Sequence, residues 1–173
     1  MIADALHRAA QGQTIVVVAP RILLANQLCE EFMEHISGTW THVCHAHSGE
    51  THYFSSTKPE KIALFNDTAR AASESCIIFT TYHSLHRVVD SGINIDTIYF
   101  DEAHNGCGRH FHKAVFATAQ YAKRRYYFTA TPKTGRGVSV SRGMNNTAVY
   151  GGVLCNVAAK ELIDGGAIVP PRV

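Results

Sequence analysis

Residues 97–115, TIYFDEAHNGCGRHFHKAV, place two carboxylates, three histidines and a cysteine directly behind a short apolar run. Two chemistries suit those residue types. An Asp that ends an apolar strand can hold a divalent cation through water, and a Glu beside it can orient and deprotonate a water molecule. Histidine and cysteine are instead ligands for zinc, which takes them in tetrahedral sets. Spacing separates the two. His104, Cys107, His110 and His112 read H-x-x-C-x-x-H-x-H, the pattern of no common zinc finger, and His110 and His112, two apart on a helix, face different directions. In HVCHAH (42–47) neighbouring side chains on a strand face opposite sides. The pair Asp101 and Glu102 is the leading candidate, and a metal-dependent hydrolase built on the His/Cys cluster is a distant alternative.

The elements that must carry this pair can be read from periodicity. TIVVVA (14–19) is a nearly continuous apolar run, as expected of a strand buried on both faces of a parallel sheet. THVCHA (41–46), CIIFTT (76–81), TIYFD (97–101) and RYYFTA (125–130) are further strand candidates, with a closing strand near 148–155. Helical patterns lie between them. One follows Pro20 with Leu24, Leu28 and Phe32 in step; another, 57–72, opens with Thr57 and Glu60 at capping-box spacing and Pro59 in its first turn. A third covers 109–123, and AAKELID near the end is a helix that Gly165 would stop. Strand and helix alternate, which predicts an α/β fold: an open, mostly parallel sheet of about six strands with helices on both faces. Ligands of such sheets bind at the carboxyl ends of the strands. Those ends carry Ala19-Pro20-Arg21, Thr80-Thr81-Tyr82-His83, Asp101-Glu102-Ala103-His104 and Thr129-Ala130-Thr131-Pro132, which should converge on one crevice.

Composition sets the remaining bounds. The 173 residues are enough for one domain with a sizeable core, and 46% hydrophobic against 17% charged residues excludes a disordered chain. A formal charge of +2 names no partner. The five cysteines are scattered and never form C-x-x-C, which reads as reduced, mostly buried thiols. No apolar run reaches the ~20 residues of a membrane span. The expectation is a soluble intracellular protein, cytoplasmic or nucleoid-associated, with no membrane partner.

Several motifs in order resemble the superfamily-two DEAD/DEAH-box-like helicases. DEAH (101–104) matches their motif II, APRILLANQL (19–28) resembles motif Ia, TTYHSL (80–85) motif Ib and TATP (129–132) motif III. HSGE (47–50) lies where many members carry a small Gly-containing nucleic-acid contact, and YGGVLCNVAAKELIDGGAIVPPRV is similar to the end of the first motor domain in the restriction-enzyme-like and DNA-repair-like branches. The resemblance implies a RecA-like P-loop NTPase domain, with ATP and Mg²⁺ as cofactors and nucleic acid as partner, DNA favoured over RNA. It implies that Asp101 binds Mg²⁺ through water, that Glu102 is the catalytic base, and that His104 links the nucleotide site to motif III. Thr129, Ala130 and Thr131 would couple hydrolysis to movement, and Pro20, Arg21, Gly49, Thr80 and Thr81 would lie along a bound strand.

One part of the pattern is missing. The family's phosphate-binding loop, G-x-x-x-x-G-K-[ST], occurs nowhere in the chain, and TGRGVSVSRG (134–143) has glycines but no G-K-[ST]. The expectation is a helicase ATP-binding domain over 1–168 that starts just past its phosphate loop, then the start of a linker, 169–173, to a second motor domain that is absent. A fragment inactive alone is one outcome; a non-catalytic nucleic-acid-binding module derived from a helicase is the other.

Overall fold

The computed structural model of the chain describes residues 1–36, 41–167 and 169. The strands β1 (Thr14–Ala19), β2 (Thr41–Ala46), β3 (Phe54–Ser55), β4 (Ser75–Thr81), β5 (Thr97–Phe100) and β6 (Arg124–Tyr127) form one sheet in the order β3-β2-β4-β1-β5-β6. Every neighbouring pair is parallel, so all carboxyl ends lie on one edge. The helices are α1 (Ile2–Ala9), α2 (Ile22–His35), α3 (Pro59–Ala71), α4 (Leu85–Asp90), α5 (His112–Tyr121), α6 (Thr147–Tyr150) and α7 (Ala159–Asp164). The expected six-stranded parallel α/β architecture is the one observed.

Alternation along the strands builds a core on each face. Ile15 and Val17 of β1 pack with Ala5 and Ala9 of α1 and with Cys29 and Phe32 of α2. Val16 and Val18 face the other way, onto Ile62 and Ala69 of α3, Leu85 and Val88 of α4, and Val115 of α5. All six residues of β1 and all seven of β4 are buried, which is why their centres, 15–19 and 76–79, are apolar runs instead of alternating patterns.

Four details depart from expectation. The sixth strand is the two-residue β3, while 148–155 forms α6 and then irregular chain with Val153 and Leu154 exposed. Helix α2 buries Ala25, Cys29 and Phe32, one position round from the Leu24–Leu28 stripe. No capping box forms at α3: its N-cap is Lys58 without a side-chain cap, although Pro59 does occupy the first turn. Helix α5 begins at His112 and not at 109, because the Gly108 carbonyl accepts the Phe111 and His112 N–H groups in a turn that precedes it. The expected linker, 169–173, lies outside the described residues apart from Val169.

Candidate functional site

The register of β4, β1, β5 and β6 sets the site. Ala19 pairs with Thr81, Val18 with Phe100, and Phe100 with Tyr127, so the residues that follow these strands stand in a row along the carboxyl edge. The ladder runs on past the strand ends: Asp101 N–H donates to Val18 O at 2.8 Å, and Phe128 N–H to Phe100 O at 2.9 Å. Ala103 N–H then donates to Phe128 O at 2.8 Å, drawing the DEAH segment against the TATP segment.

Glu102 adopts the left-handed conformation, φ 45° and ψ 53°, uncommon for a residue with a Cβ and of order 1–3 kcal/mol in cost. Asn105 holds it there, donating from both its backbone N–H and its Nδ2 to Glu102 O at 2.9 Å. The turn leaves Asp101 and Glu102 partly exposed at the edge, followed by the short 3-10 helix Ala103–Cys107.

Histidine 104 is the junction. Its Nδ1 lies 3.0 Å from Thr129 Oγ1, 3.2 Å from Thr131 Oγ1 and 3.4 Å from Glu102 Oε2. One imidazole nitrogen therefore meets both TATP hydroxyls and the carboxylate next to Asp101. Thr129 Oγ1 also accepts the Thr131 N–H at 3.1 Å, which closes the turn around the exposed Ala130.

Electrostatics distinguish Asp101. Burial pushes its carboxyl above the ordinary carboxylate range; the Glu102 backbone N–H opposes the rise, and the Glu102 charge adds to it. Among the described residues no cation pairs with it. A carboxylate that is half-desolvated, repelled by its neighbour and without a counterion fits a divalent cation, which would relieve both penalties. The His/Cys cluster does not assemble: among the described residues no three metal-ligating groups converge, and the Cys107 thiol is buried against Tyr150 Oη at 3.5 Å.

The other expected contacts divide. Pro20 and Arg21 stand at the edge just ahead of α2, with Arg21 exposed and its side chain without a partner among the described residues. Gly49 reaches the same place: a Cβ there would sit 2.4 Å from Ile22 Cγ2, so the backbone of the 47–50 loop touches the start of α2. The tautomers are ordered by this contact. Gly49 N–H donates to His47 Nδ1 at 3.2 Å, which leaves His47 Nε2–H to donate to His45 Nδ1 at 2.9 Å. Thr80 and Thr81 have buried side chains. Thr80 is fully buried with its hydroxyl donating to Ala46 O at 2.8 Å, and the buried Thr81 Oγ1 accepts the Ser84 N–H at 3.3 Å ahead of α4. Neither hydroxyl faces solvent, since each is buried and bonded to backbone of the sheet or of the turn ahead of α4.

Tyr82 was expected only as one residue of a strand end, without a role. Its buried hydroxyl donates to Asp101 O at 2.8 Å, tying the end of β4 to the DEAH turn across the intervening β1. The one signal was a large aromatic with a polar tip directly after a strand end.

This fold and edge define a RecA-like motor domain of the helicase type. The chain belongs to the ResIII family, described as Type III restriction enzyme, res subunit, whose family model matches residues 1–134. Among solved structures it is similar to a nuclease-deletion mutant of the Type ISP restriction-modification enzyme LlaGI in complex with a DNA substrate mimic, with TM-score 0.71 and 19% identity over 95% of this chain. It is also similar to the ATP-dependent Type ISP restriction-modification enzyme LlaBIII bound to DNA, with TM-score 0.67 and 17% identity over 95% of this chain. The chain spans 15% and 13% of those two proteins. No curated protein matches it. Among the described residues no helix is long and apolar enough to cross a membrane.

Proposed function

We propose that residues 1–168 are the first motor domain of an ATP-dependent DNA helicase or translocase, working with a second RecA-like domain beyond 169–173. The observation that carries this reading is His104 Nδ1, within 3.4 Å of Glu102 and of both TATP threonines. That contact gives the carboxylate a physical path to a segment that can move with a bound strand. Asp101, uncompensated at the edge, would hold Mg²⁺ through water; the ion, when bound, neutralises charge between the β- and γ-phosphates. Glu102 orients and deprotonates the attacking water. Thr129 and Thr131 hold the His104 ring, so a change at Glu102 is felt at Ala130. Pro20, Arg21 and the Gly49 backbone line the strand path, with Arg21 as the charge that meets a phosphate. Thr80 and Thr81 shape this edge from beneath.

The 173 residues contain no phosphate-cradling loop, so the chain alone should bind ATP weakly and turn it over negligibly. The test is titration of labelled single-stranded DNA at low and moderate salt with wild type and Arg21→Ala. Binding should be weak, should fall with salt as counterions are released, and should weaken about threefold or more in the variant. Binding that ignores salt and the Arg21 substitution would sink the assignment of the strand path.

A further inference from the structure

Beyond the DEAH and TATP residues, a cavity of about 200 Å³ lies between the end of the 3-10 helix Ala103–Cys107 and the glycine-bearing loop 133–143. Arg109, Lys133 and Arg142 line it, and no Asp or Glu does. None of the three side chains has an ion-pair or hydrogen-bond partner among the described residues. Three like charges around one small cavity repel one another unless an anion joins them.

The cavity is built and not incidental. Gly135 and Gly143 let two arms of the loop touch backbone to backbone: a Cβ on Gly135 would sit 2.1 Å from Ser139 O, and one on Gly143 2.1 Å from Gly135 N. Asn145 clamps the loop, its Oδ1 accepting the Gly135 N–H at 2.8 Å and its Nδ2 donating to Gly135 O at 3.2 Å. The carbonyls of two lining residues are tied down as well, Lys133 O by Met144 N–H at 2.9 Å and Arg142 O by Tyr150 Oη–H at 3.4 Å. These bonds fix the backbone and leave the cationic ends free.

We propose that this cavity is a phosphate-binding site, taking one phosphoryl group between Arg109, Lys133 and Arg142. Size agrees with this ligand: about 200 Å³ equals roughly seven waters at ~30 Å³ each, room for a tetrahedral oxyanion and its hydration, and below the ~300 Å³ at which pockets for whole small molecules begin. Guanidinium forks suit phosphate oxygens, and the ammonium adds a point charge. The source of the group rests on the proposed function: it is a phosphodiester of the strand that passes along the carboxyl edge. Lys133 comes two residues after Thr131, and Arg109 five after His104. A phosphate held here therefore bridges the segments that follow the two halves of the His104 contact.

The test uses amide NMR on the full 173-residue chain. Inorganic phosphate, titrated against chloride at matched ionic strength, should shift the amides of Gly108, Gly135 and Gly143, and a Lys133→Gln/Arg142→Gln double variant should weaken this response at least tenfold. Arg109→Gln, at an exposed position, repeats the test where the double variant folds poorly. A response equal to that of chloride, or one unchanged in the variants, overturns the site. A labelled single strand then identifies the source. Loss of one phosphate contact should lower the slope of log affinity against log salt by about 0.7. Phosphate-induced shifts with an unaltered slope would keep the site and assign it to free phosphate. Failure of wild type to bind any strand would remove the nucleic-acid reading and leave the phosphate titration to judge the cavity.

Discussion

Strand β5 is flanked by two aspartates, and their surroundings are opposite. Asp96, at the amino edge of the sheet, is buried and accepts hydrogen bonds from Thr14 N–H at 2.9 Å, Arg70 Nη2 at 2.7 Å and Lys123 Nζ at 2.6 Å. Burial alone would raise its carboxyl, but the bonds from Lys123 and Thr14 and the charge of Arg70 outweigh that and hold it below the usual range. Asp101, four residues of strand away, has no cation and is pushed up. The amino edge closes its charges on one another, and it ties β1, α3 and the start of β6 to β5. The carboxyl edge leaves a charge open and keeps Glu102 in a strained turn beside it. Under the proposed function, the closed end serves stability and the open end a ligand.

The largest expected effect lies at the amino edge. Asp96→Asn at pH 7 removes the charge that Arg70 and Lys123 share. Because Lys123 is 65% and Arg70 37% exposed, solvent screens part of the pairing, and the expected cost is about 2 kcal/mol, or a Tm lower by roughly 4–8 °C. A Tm within about 1 °C of wild type in a thermal scan would break the comparison at its stronger end.

The acid response separates the edges next. His45, fully buried at the carboxyl end of β2, is pushed down to about 4 by burial, with neighbouring His47 adding to it. A histidine depressed in the folded state stabilises fully above its unfolded pKa of ~6.5, and that contribution is lost as pH falls from there toward about 4. The depressed Asp96 carboxylate acts in a lower window, losing its contribution only as pH falls through and below its unfolded value of ~3.9. Melting curves between pH 7 and 4 should therefore fall by several degrees in wild type and be flatter in His45→Gln. Parallel curves for the two proteins would remove the carboxyl edge from the acid response.

Much of this division was legible in the sequence, for identifiable reasons. The bounds of β1 follow from TIVVVA directly, since a strand buried on both faces has to be largely apolar, while THVCHA marks β2 with a weaker pattern. DEAH and TATP were legible because their residues are contiguous and need only strand ends to place them. Strand β3 was not, as Phe54 and Ser55 are too few to show a period. The segment 148–155 was mistaken for a strand, although among the described residues no neighbouring strand takes it up and its Val153 and Leu154 stay in solvent. The inward bonds of Tyr82 and Thr80 were not legible, for one shared reason. Whether a hydroxyl at a strand end faces solvent or a neighbouring carbonyl depends on register across the sheet, which local pattern does not carry.

The smallest effect is also the most direct test. At pH 7 an aspartate raised in the folded state costs stability, because the folded chain holds its proton more tightly and stability falls as pH rises through the folded value. Asp101→Asn removes that cost, so it should raise the Tm by about 2 °C. The decisive measurement is a matched pair of thermal scans at pH 7 without divalent cations, Asp101→Asn and Asp96→Asn against wild type. Opposite signs are expected, a rise for Asp101→Asn and a fall for Asp96→Asn. A fall in both would overturn the division of roles, since the two ends of β5 would then serve stability alike.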